Sequence, residues 1–368
     1  MNPVIAYTAS RIFTGDTWLN DHAVLVKDKK IVDLLPVAEL PAGIPLTNFG
    51  DAVIAAAFID LQIYGAYGKL LAVHPDSDAL CKLNEYCNKG GTAYCLPTVA
   101  TNTLEIFRKC IDAVRDYWQQ DGKGVLGLHL EGPWINAAKR GAHIESLIHV
   151  PTIEEVKELL AYGKGVIKMI TLAPEICSKE IIELILSLDI IISAGHSNAT
   201  YAEAKQGFAN GITTVTHLFN AMSPLQHREP GMAGAVMDDE NTFSSIIPDG
   251  YHVDFAAIRI AKQAMRERLF VITDAVTDTT EGYYPHELKG DKYEASGILS
   301  GSALTMAKAV KNLVDNKVTD LGEALRMCSL YPAQVAGLDK QLGKIEKGYE
   351  ASLVALDKEM NVLECIVS

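Results

Sequence analysis

The sequence predicts an α/β protein in which a (β/α)8 TIM-like barrel is accompanied by a small β-sandwich domain formed from both chain termini. Two observations lead to this fold class. Eight short apolar runs alternate with amphipathic segments from residue 57 onward, and both ends of the chain resemble paired strands. The chain, at 368 residues, is longer than one average domain. We therefore predict the small β domain at 1–52 and 336–368, and the barrel at 53–335.

The N-terminal flank contains AVLVKDKKIVDLL, in which two strand-like runs surround a basic turn. The C-terminal flank contains GKIEKGYEASLVALD, which again reads as a strand, a glycine-containing turn and a strand. Two β-rich ends separated by the whole barrel are best joined in one domain, which also keeps the chain termini together.

The predicted barrel strands are, in order, AFIDLQI, AYCLPTV, VLGLHLEG, VIKMITLAPE, DIIISAGHS, TTVTHLF, FSSIIPDGYH and RLFVITDA. Helical patterns such as TIEEVKELLAYG and SKEIIELILSL lie between most of them. Apolar strands that alternate with helices indicate a parallel sheet, and eight such units favour a closed barrel. An open doubly wound sheet is the alternative. It would need a glycine-rich phosphate turn after its first strand, and DLQIYGAYGKL matches that motif poorly.

Composition and charge exclude several classes of partner. The net charge of -13 argues against a nucleic-acid or anionic-membrane surface. The N-terminus lacks the pattern of a secretory signal, and no apolar run is long enough to span a bilayer. We therefore expect a cytoplasmic protein with no nucleic-acid or membrane partner. The seven cysteines include no C-x-x-C pair, so any metal ligands should be histidine and carboxylate.

Polar side chains stand where the predicted strands end, which is the active-site face of barrels of this class. They are Gln62, Tyr64, Thr98, Glu131, Thr171, Glu175, His196, His217, Asp249, His252 and Asp274. Glu131, His196 and His217 suit a divalent cation, because two imidazoles and a carboxylate leave one position open for water. Asp274 would then move a proton from water to a leaving nitrogen. The alternative for Asp274 is an N-cap of a following helix.

Five longer motifs, HLEGPWINAAKRGAH, AGHSNATYAEA, THLFNAMSPLQHREPG, PDGYH and TDA, occur in this order. Together they resemble the N-acetylglucosamine-6-phosphate deacetylase family of the amidohydrolase superfamily, over roughly residues 10 to 360. The resemblance implies a hydrolase of linear amide bonds that converts N-acetylglucosamine 6-phosphate to glucosamine 6-phosphate and acetate in amino-sugar catabolism or recycling. It also implies Glu131, His196 and His217 as metal ligands and Asp274 as the catalytic carboxylate.

The same resemblance implies a substrate site formed by Ala142, His143, Asn220, Ala221, Arg228, His252, Leu299 and Ser300. His143 would act in catalysis near the acetyl group. Arg228 would bind the 6-phosphate, since its planar guanidinium can donate two hydrogen bonds to phosphate oxygens. The alternative for QHREPG is a solvated turn. The family further implies a homodimer in which His252 reaches the phosphate in the neighbouring subunit's site.

The first predicted strand departs from the superfamily pattern. Many members have H-x-H there and bind two metals, while other deacetylases have Gln-x-Asn and bind one. This chain has Gln62-Ile63-Tyr64, a possible water or second-metal position with poor ligands for a transition metal. We therefore expect one divalent ion per subunit, zinc first, with iron, cobalt or manganese as alternatives. Tyr64 either hydrogen-bonds near the metal or only packs the barrel.

Three other functions remain open from the sequence. One is deacetylation of the galactosamine epimer, because no single residue identifies the sugar hydroxyl that differs. Another is a cyclic-amide hydrolase or deaminase of the same superfamily, which predicts H-x-H at the first strand. The third is a sugar-phosphate binding protein without catalysis, against which the joint presence of Glu131, His196, His217 and Asp274 argues.

Overall fold

A computed structural model describes residues 3–295 and 297–367. The chain divides into two compact units. One contains the chain up to Asp60, Cys87–Tyr94 and the chain from Thr305; the other contains Leu61–Tyr86 and Cys95–Leu304. The boundaries at 52/53 and 335/336 that the sequence suggested stay a prediction.

The strands of the described chain are β1 Ile5–Thr8, β2 Arg11–Phe13, β3 Trp18–Asn20, β4 His22–Lys27, β5 Lys30–Pro36, β6 Leu46–Asn48, β7 Val53–Ala56, β8 Phe58–Ile63, β9 Gly65–Ala66, β10 Lys69–Leu70, β11 Thr92–Ala100, β12 Leu128–Glu131, β13 Ile167–Leu172, β14 Ile191–Ala194, β15 Thr214–Val215, β16 Phe243–Ile246, β17 Leu269–Val271, β18 Glu287–Lys289, β19 Lys292–Ala295, β20 Ile298–Ser302, β21 Leu353–Leu356 and β22 Val362–Ile366.

Its α-helices are α1 Ser77–Lys89, α2 Leu104–Gln119, α3 Ile153–Tyr162, α4 Lys179–Leu186, α5 Tyr201–Ala209, α6 Gly231–Asp238, α7 Phe255–Met265, α8 Met306–Asp315, α9 Leu321–Cys328 and α10 Leu330–Val335. None of the helices within residues 3–295 and 297–367 has both the length and the apolar character that crossing a membrane requires.

The barrel is a sheet of eight strands in the order β8, β11, β12, β13, β14, β15, β16 and β17. The pairs from β11 to β17 are parallel. The ring is closed by the segment after β17, where Asp274 N donates to Gln62 O at 3.0 Å and Tyr64 N donates to Ala275 O at 2.9 Å. All eight predicted strands and the predicted TIM-like barrel are confirmed.

One helix follows each of the first seven barrel strands, as the alternating pattern predicted. The two quoted helical patterns form α3 and α4. Thr152 Oγ1 accepts from Glu155 N at the start of α3, and Ser178 Oγ accepts from Ile181 N at the start of α4, so both helices begin with a side-chain N-cap. After β17 the chain instead enters a three-stranded sheet, β18-β19-β20.

The small β domain is a sandwich of two sheets, β5-β4-β1-β6 and β22-β21-β7-β2-β3. The second sheet joins strands from both chain termini, which confirms that prediction. Its core combines Val24 and Ile31 from one sheet with Ile12, Ile54 and Leu353 from the other. The burial of these branched side chains between the two sheets holds the sandwich together.

The predicted hairpin in AVLVKDKKIVDLL is confirmed as the antiparallel pair β4 and β5. The first strand predicted in GKIEKGYEASLVALD is wrong, because residues 336–352 of the described chain contain no strand, and β21 pairs with β7 and with the later β22. Ile345 N donates to Thr14 O and Gly348 N donates to Ile31 O, so this segment bonds to two different parts of the chain in turn. Gly348 has a φ of 93°, which fits the predicted glycine-containing turn.

Candidate active site

A cavity of about 190 Å³ lies at the carboxyl ends of the barrel strands. The predicted site residues that line it are Tyr64, Glu131, Ala142, His143, His196, His217, Asn220, Ala221, His252, Asp274, Leu299 and Ser300. Seven of the eleven side chains assigned to strand ends therefore converge in this cavity, whereas Gln62, Thr171, Glu175 and Asp249 do not line it.

Glu131 is the centre of the cluster. Its Oε1 atom lies 3.2 Å from His196 Nε2 and 3.1 Å from His217 Nε2, and the two Nε2 atoms lie 3.2 Å apart. Bonds of about 2.0–2.1 Å to a four-coordinate cation place its ligand atoms roughly 3.4 Å from one another. The three donor atoms therefore have nearly the spacing of three corners of such a site.

The protonation of His196 also points to a cation. His196 Nδ1 lies 2.9 Å from Lys139 O and donates to it, so a neutral ring presents a lone pair on Nε2. Burial lowers the pKa of His196 to about 4, which keeps the ring neutral at pH 7. Two hydrogen-bond acceptors with lone pairs, Nε2 and Glu131 Oε1, then face each other. A bound cation would turn this repulsion into coordination.

His143 belongs to the same cluster. Glu131, His143 and His196 offer ligand atoms that lie within 4.8 Å of one another. His143 Nε2 lies 3.1 Å from Oε2 of Glu131, the oxygen that faces away from His196 and His217, and its Nδ1 lies 2.7 Å from Thr101 Oγ1. The geometry therefore offers His143 as well as His217 beside Glu131 and His196.

Asp274 is buried at the end of the eighth strand, next to the hydrogen-bonded pair of His252 and Asp249. His252 Nε2 lies 3.8 Å from Asp274 Oδ2, and His252 Nδ1 lies 2.6 Å from Asp249 Oδ2. Burial raises the pKa of Asp274, although the neighbouring His217 and His252 oppose the shift. The helix-cap interpretation of Asp274 is wrong, since the next helix, α8, begins at Met306 with Thr305 as its cap.

Gln62 and Tyr64 lie against the two carboxylates. Gln62 Nε2 is 2.9 Å from Glu131 Oε1 and 3.0 Å from Asp274 Oδ1. The Tyr64 hydroxyl donates to Glu131 Oε2 at 2.5 Å. Burial, followed by the charges of Glu131 and Asp274, raises the pKa of Tyr64, so the phenol stays protonated. Both residues thus act as hydrogen-bond donors where a second metal would need electron-pair donors.

The backbone carries strain at the residues that end three strands. His196, His217 and Asp274 have φ values of 47°, 35° and 55°. Left-handed conformations cost non-glycine residues about 1–3 kcal/mol each and cluster at functional sites. The residue before His196 is Gly195, where a Cβ would come within 2.8 Å of Thr171 and Thr216. The AGHS motif therefore needs its glycine to bring His196 into the cavity.

Two predicted roles concern the substrate phosphate. His252 lies in its own chain's cavity, with 7% of its side chain exposed, and its action in the neighbouring subunit's site stays a prediction. Its Nδ1 bond to Asp249 holds the ring inward. Arg228 is exposed and does not line the cavity, so the structure does not bring it to the site within one chain.

Sequence reasoning missed Tyr284 and His286, which also line the cavity. Tyr284 OH donates to Thr101 O at 2.6 Å, and His286 Nδ1 lies 2.8 Å from Ser300 Oγ. These contacts hold the wall that carries Leu299 and Ser300. The clustered aromatic and imidazole groups in YYPHEL were the available signal, but this segment has no helical or strand periodicity.

Comparisons with known proteins agree with this site. Residues 53–368 match the amidohydrolase family, and residues 5–54 match the NagA composite domain. An N-acetylglucosamine-6-phosphate deacetylase of Haemophilus influenzae is 34% identical, over 97% of this chain and 96% of that protein. An N-acetylgalactosamine-6-phosphate deacetylase of Escherichia coli O157:H7 is 32% identical, over 96% and 95%.

A crystal structure of N-acetylglucosamine-6-phosphate deacetylase from Pasteurella multocida superposes with a TM-score of 0.95. It is 36% identical and covers 99% of this chain and 98% of its own. Both the barrel and the split β domain are therefore shared with that enzyme. The chain belongs to the amidohydrolase family, among the N-acetylglucosamine-6-phosphate deacetylases and their N-acetylgalactosamine-6-phosphate counterparts.

Proposed function

We propose that this protein hydrolyses the N-acetyl group of N-acetylglucosamine 6-phosphate to give glucosamine 6-phosphate and acetate, in amino-sugar catabolism or recycling. The observation that carries the proposal is the convergence of Glu131, His196, His217 and Asp274 in one cavity. The full-length similarity to deacetylases of this substrate supports it. Acetate release by the purified protein, measured with the metal content of the same sample, is the direct test.

Glu131, His196 and His217 would hold one divalent cation, which we propose to be zinc, with iron, cobalt or manganese as alternatives. The bound cation would polarise the attacking water and the amide carbonyl. His143, on the other oxygen of Glu131, would hydrogen-bond to the carbonyl oxygen as negative charge develops there.

Asp274 would move the proton in the reaction. Its ionised carboxylate accepts a proton from water as the new C–O bond forms. It then donates that proton to the nitrogen as the C–N bond breaks, so the amine leaves neutral. The hydrogen bond from Gln62 holds Asp274 Oδ1, and His252 stands 3.8 Å from Oδ2. Asn220 and Ala221, on the turn after His217, would hold the sugar, with Ala142, Leu299 and Ser300 completing the wall.

A substrate phosphate needs positive charge, and the described residues that line the cavity include no lysine or arginine. Among the described residues that line the cavity, the groups that can become cationic are histidines. We propose a homodimer in which the exposed Arg228 of one subunit reaches the partner's cavity, while His252 acts in its own. A charge-assisted pair between arginine and phosphate is favourable enough to select phosphorylated sugars.

Arg228→Ala is expected to lower kcat/KM for the 6-phosphorylated substrate by roughly 10–100-fold, because a hydrogen-bonded charge pair contributes about 1.5–3 kcal/mol. The unphosphorylated parent sugar is the internal control, and its turnover should change little. Equal losses on both substrates would show that Arg228 has a structural role.

The shared site has its own test in mixed dimers. Arg228→Ala subunits combined with Asp274→Asn subunits should regain part of the activity on the phosphorylated substrate. Each mixed dimer would contain one cavity in which both Asp274 and the partner's Arg228 are intact. Absence of recovery despite demonstrated subunit exchange would mean that Arg228 does not act across a dimer.

Metal-saturated, desalted protein is expected to retain about one metal ion per subunit. The donor groups of Gln62 and Tyr64 stand where a second ion would require ligands. Elemental analysis measures the ratio. Two ions per subunit, with activity following the second, would contradict both the ratio and the interpretation of these two residues.

The galactosamine epimer is a second candidate substrate, since a relative of 32% identity acts on N-acetylgalactosamine 6-phosphate by its name. A panel of both epimers, with and without the phosphate, separates the two specificities. A cyclic-amide hydrolase or deaminase is disfavoured, because Gln62 and Tyr64 replace the H-x-H expected at the first strand.

A further inference from the structure

We propose that Tyr64 is a positioning residue that acts through Glu131. Its hydroxyl would donate a hydrogen bond to Oε2 of Glu131, so that the metal is coordinated by Oε1 alone. A four-coordinate metal then keeps one position free for the attacking water. The proposal deepens the proposed function and depends on its metal-dependent part.

The direction of the hydrogen bonds follows from the Gln62 amide. One Gln62 side-chain atom lies 2.9 Å from Glu131 Oε1 and 3.0 Å from Asp274 Oδ1. A carbonyl oxygen at this place would face two carboxylate oxygens, so the atom must be the amide nitrogen. The same nitrogen lies 2.7 Å from the Tyr64 oxygen. An amide nitrogen only donates, so the Tyr64 oxygen can only accept from it, as one of three acceptors that share the two amide hydrogens.

The single hydroxyl proton of Tyr64 is therefore directed to a carboxylate. Glu131 Oε2 lies at 2.5 Å and Asp274 Oδ1 at 3.4 Å, so the proton is donated to Glu131. His143 Nε2 approaches the same Oε2 at 3.1 Å. The two oxygens of Glu131 thus have different neighbours. Oε2 faces Tyr64 and His143, and Oε1 faces His196, His217 and the amide nitrogen of Gln62.

This difference matters for the number of metal ligands. In a four-coordinate site, three protein ligand atoms leave one position for water. A carboxylate that binds through both oxygens supplies a fourth protein atom, so water can then bind only as a fifth ligand. The hydrogen bond from Tyr64 keeps Oε2 in a different direction from Oε1, which favours binding through one oxygen. Barrel packing requires the Tyr64 ring, whereas this role requires the hydroxyl.

Tyr64→Phe separates the two roles, because it removes the hydroxyl and keeps the ring. Cobalt(II) loaded into the metal-free protein reports the coordination number through its visible absorption, which is stronger for four ligands than for five. We expect the wild-type protein to give the strong four-coordinate spectrum and Tyr64→Phe to give a weaker, five-coordinate one. We also expect kcat to fall by roughly 10–100-fold, the usual effect of losing a partner of a metal ligand, with KM little changed.

The matched control is Tyr117→Phe, on α2 and outside the cavity. Tyr117 is also buried, and its hydroxyl donates to Lys123 O at 2.7 Å, so this variant loses an equivalent hydrogen bond elsewhere. Its cobalt spectrum should equal that of the wild-type protein. The same spectral change in Tyr117→Phe would mean that the effect of Tyr64→Phe is not specific.

An unchanged cobalt spectrum in Tyr64→Phe overturns the proposal, whether or not activity falls. A wild-type protein that binds no cobalt overturns it together with the metal-dependent part of the proposed function. A wild-type protein that binds cobalt and responds to Tyr64→Phe, but releases no acetate from any sugar tested, would refute the proposed substrate and support the role of Tyr64. The two proposals can therefore fail separately.

Discussion

Asp274→Asn is expected to lower kcat by roughly two to four orders of magnitude while the substrate still binds. Asparagine has nearly the same shape as aspartate, so the hydrogen bond from Gln62 can be kept by the amide oxygen. An amide cannot accept the proton of the attacking water or return it to the leaving nitrogen. Steady-state acetate release measures kcat, and elemental analysis of the variant should show its metal content unchanged.

The dependence of kcat on pH is a second test of the proton-transfer role of Asp274. Burial raises the pKa of Asp274, and the proposed reaction needs the ionised carboxylate. The kcat of the wild-type protein should therefore decrease as the pH falls through that raised pKa, and Asp274→Asn should lose this dependence. Asp121→Asn is a suitable control, because Asp121 is exposed and has a φ of 59° that asparagine tolerates. Near-normal turnover in Asp274→Asn would show that another group moves the proton.

The sequence predicts most of this site because parallel barrel strands bring their carboxyl ends to one face. Glu131, His196, His217 and Asp274 are up to 143 positions apart by their numbers, yet each closes a strand, so strand assignment alone predicts that they meet. The polar character of each strand end needs no knowledge of side-chain packing. For this reason the barrel and the cluster could be identified together.

Other features depend on contacts that periodicity does not encode. The direction of His252 is decided by its bond to Asp249, and the distance of Arg228 from the cavity is decided by the course of a loop. Tyr284 enters through an irregular segment, and His286 lies at an isolated β-bridge to Thr279 directly before β18. The strand predicted in GKIEKGY is wrong for a similar reason. An alternating pattern does not show that the backbone of this segment hydrogen-bonds to two separate parts of the chain.

The network around Glu131 explains why one carboxylate affects so much of the site. Five side chains approach its two oxygens: Gln62, Tyr64, His143, His196 and His217. Burial raises the pKa of Glu131, but the neighbouring His196 and His143 outweigh burial, so its pKa lies well below the usual value. The ionised carboxylate supplies both a metal ligand and the negative charge that stabilises a bound cation.

Glu131→Gln should therefore lower metal affinity by more than the roughly 10–100-fold that the loss of a ligand's own partner costs. The variant keeps the side-chain size but removes the charge, and one of its two terminal atoms becomes an amide nitrogen that cannot coordinate. If that nitrogen replaces Oε2, the proton of Tyr64 loses its acceptor; if it replaces Oε1, the metal loses its ligand. Either orientation removes one of the interactions of Glu131, so activity should fall together with bound metal.

Metal titration of the metal-free protein measures the affinity, and Glu180→Gln, at an exposed position on α4, is the matched control. Wild-type affinity in Glu131→Gln would mean that the metal is held by histidines without this carboxylate.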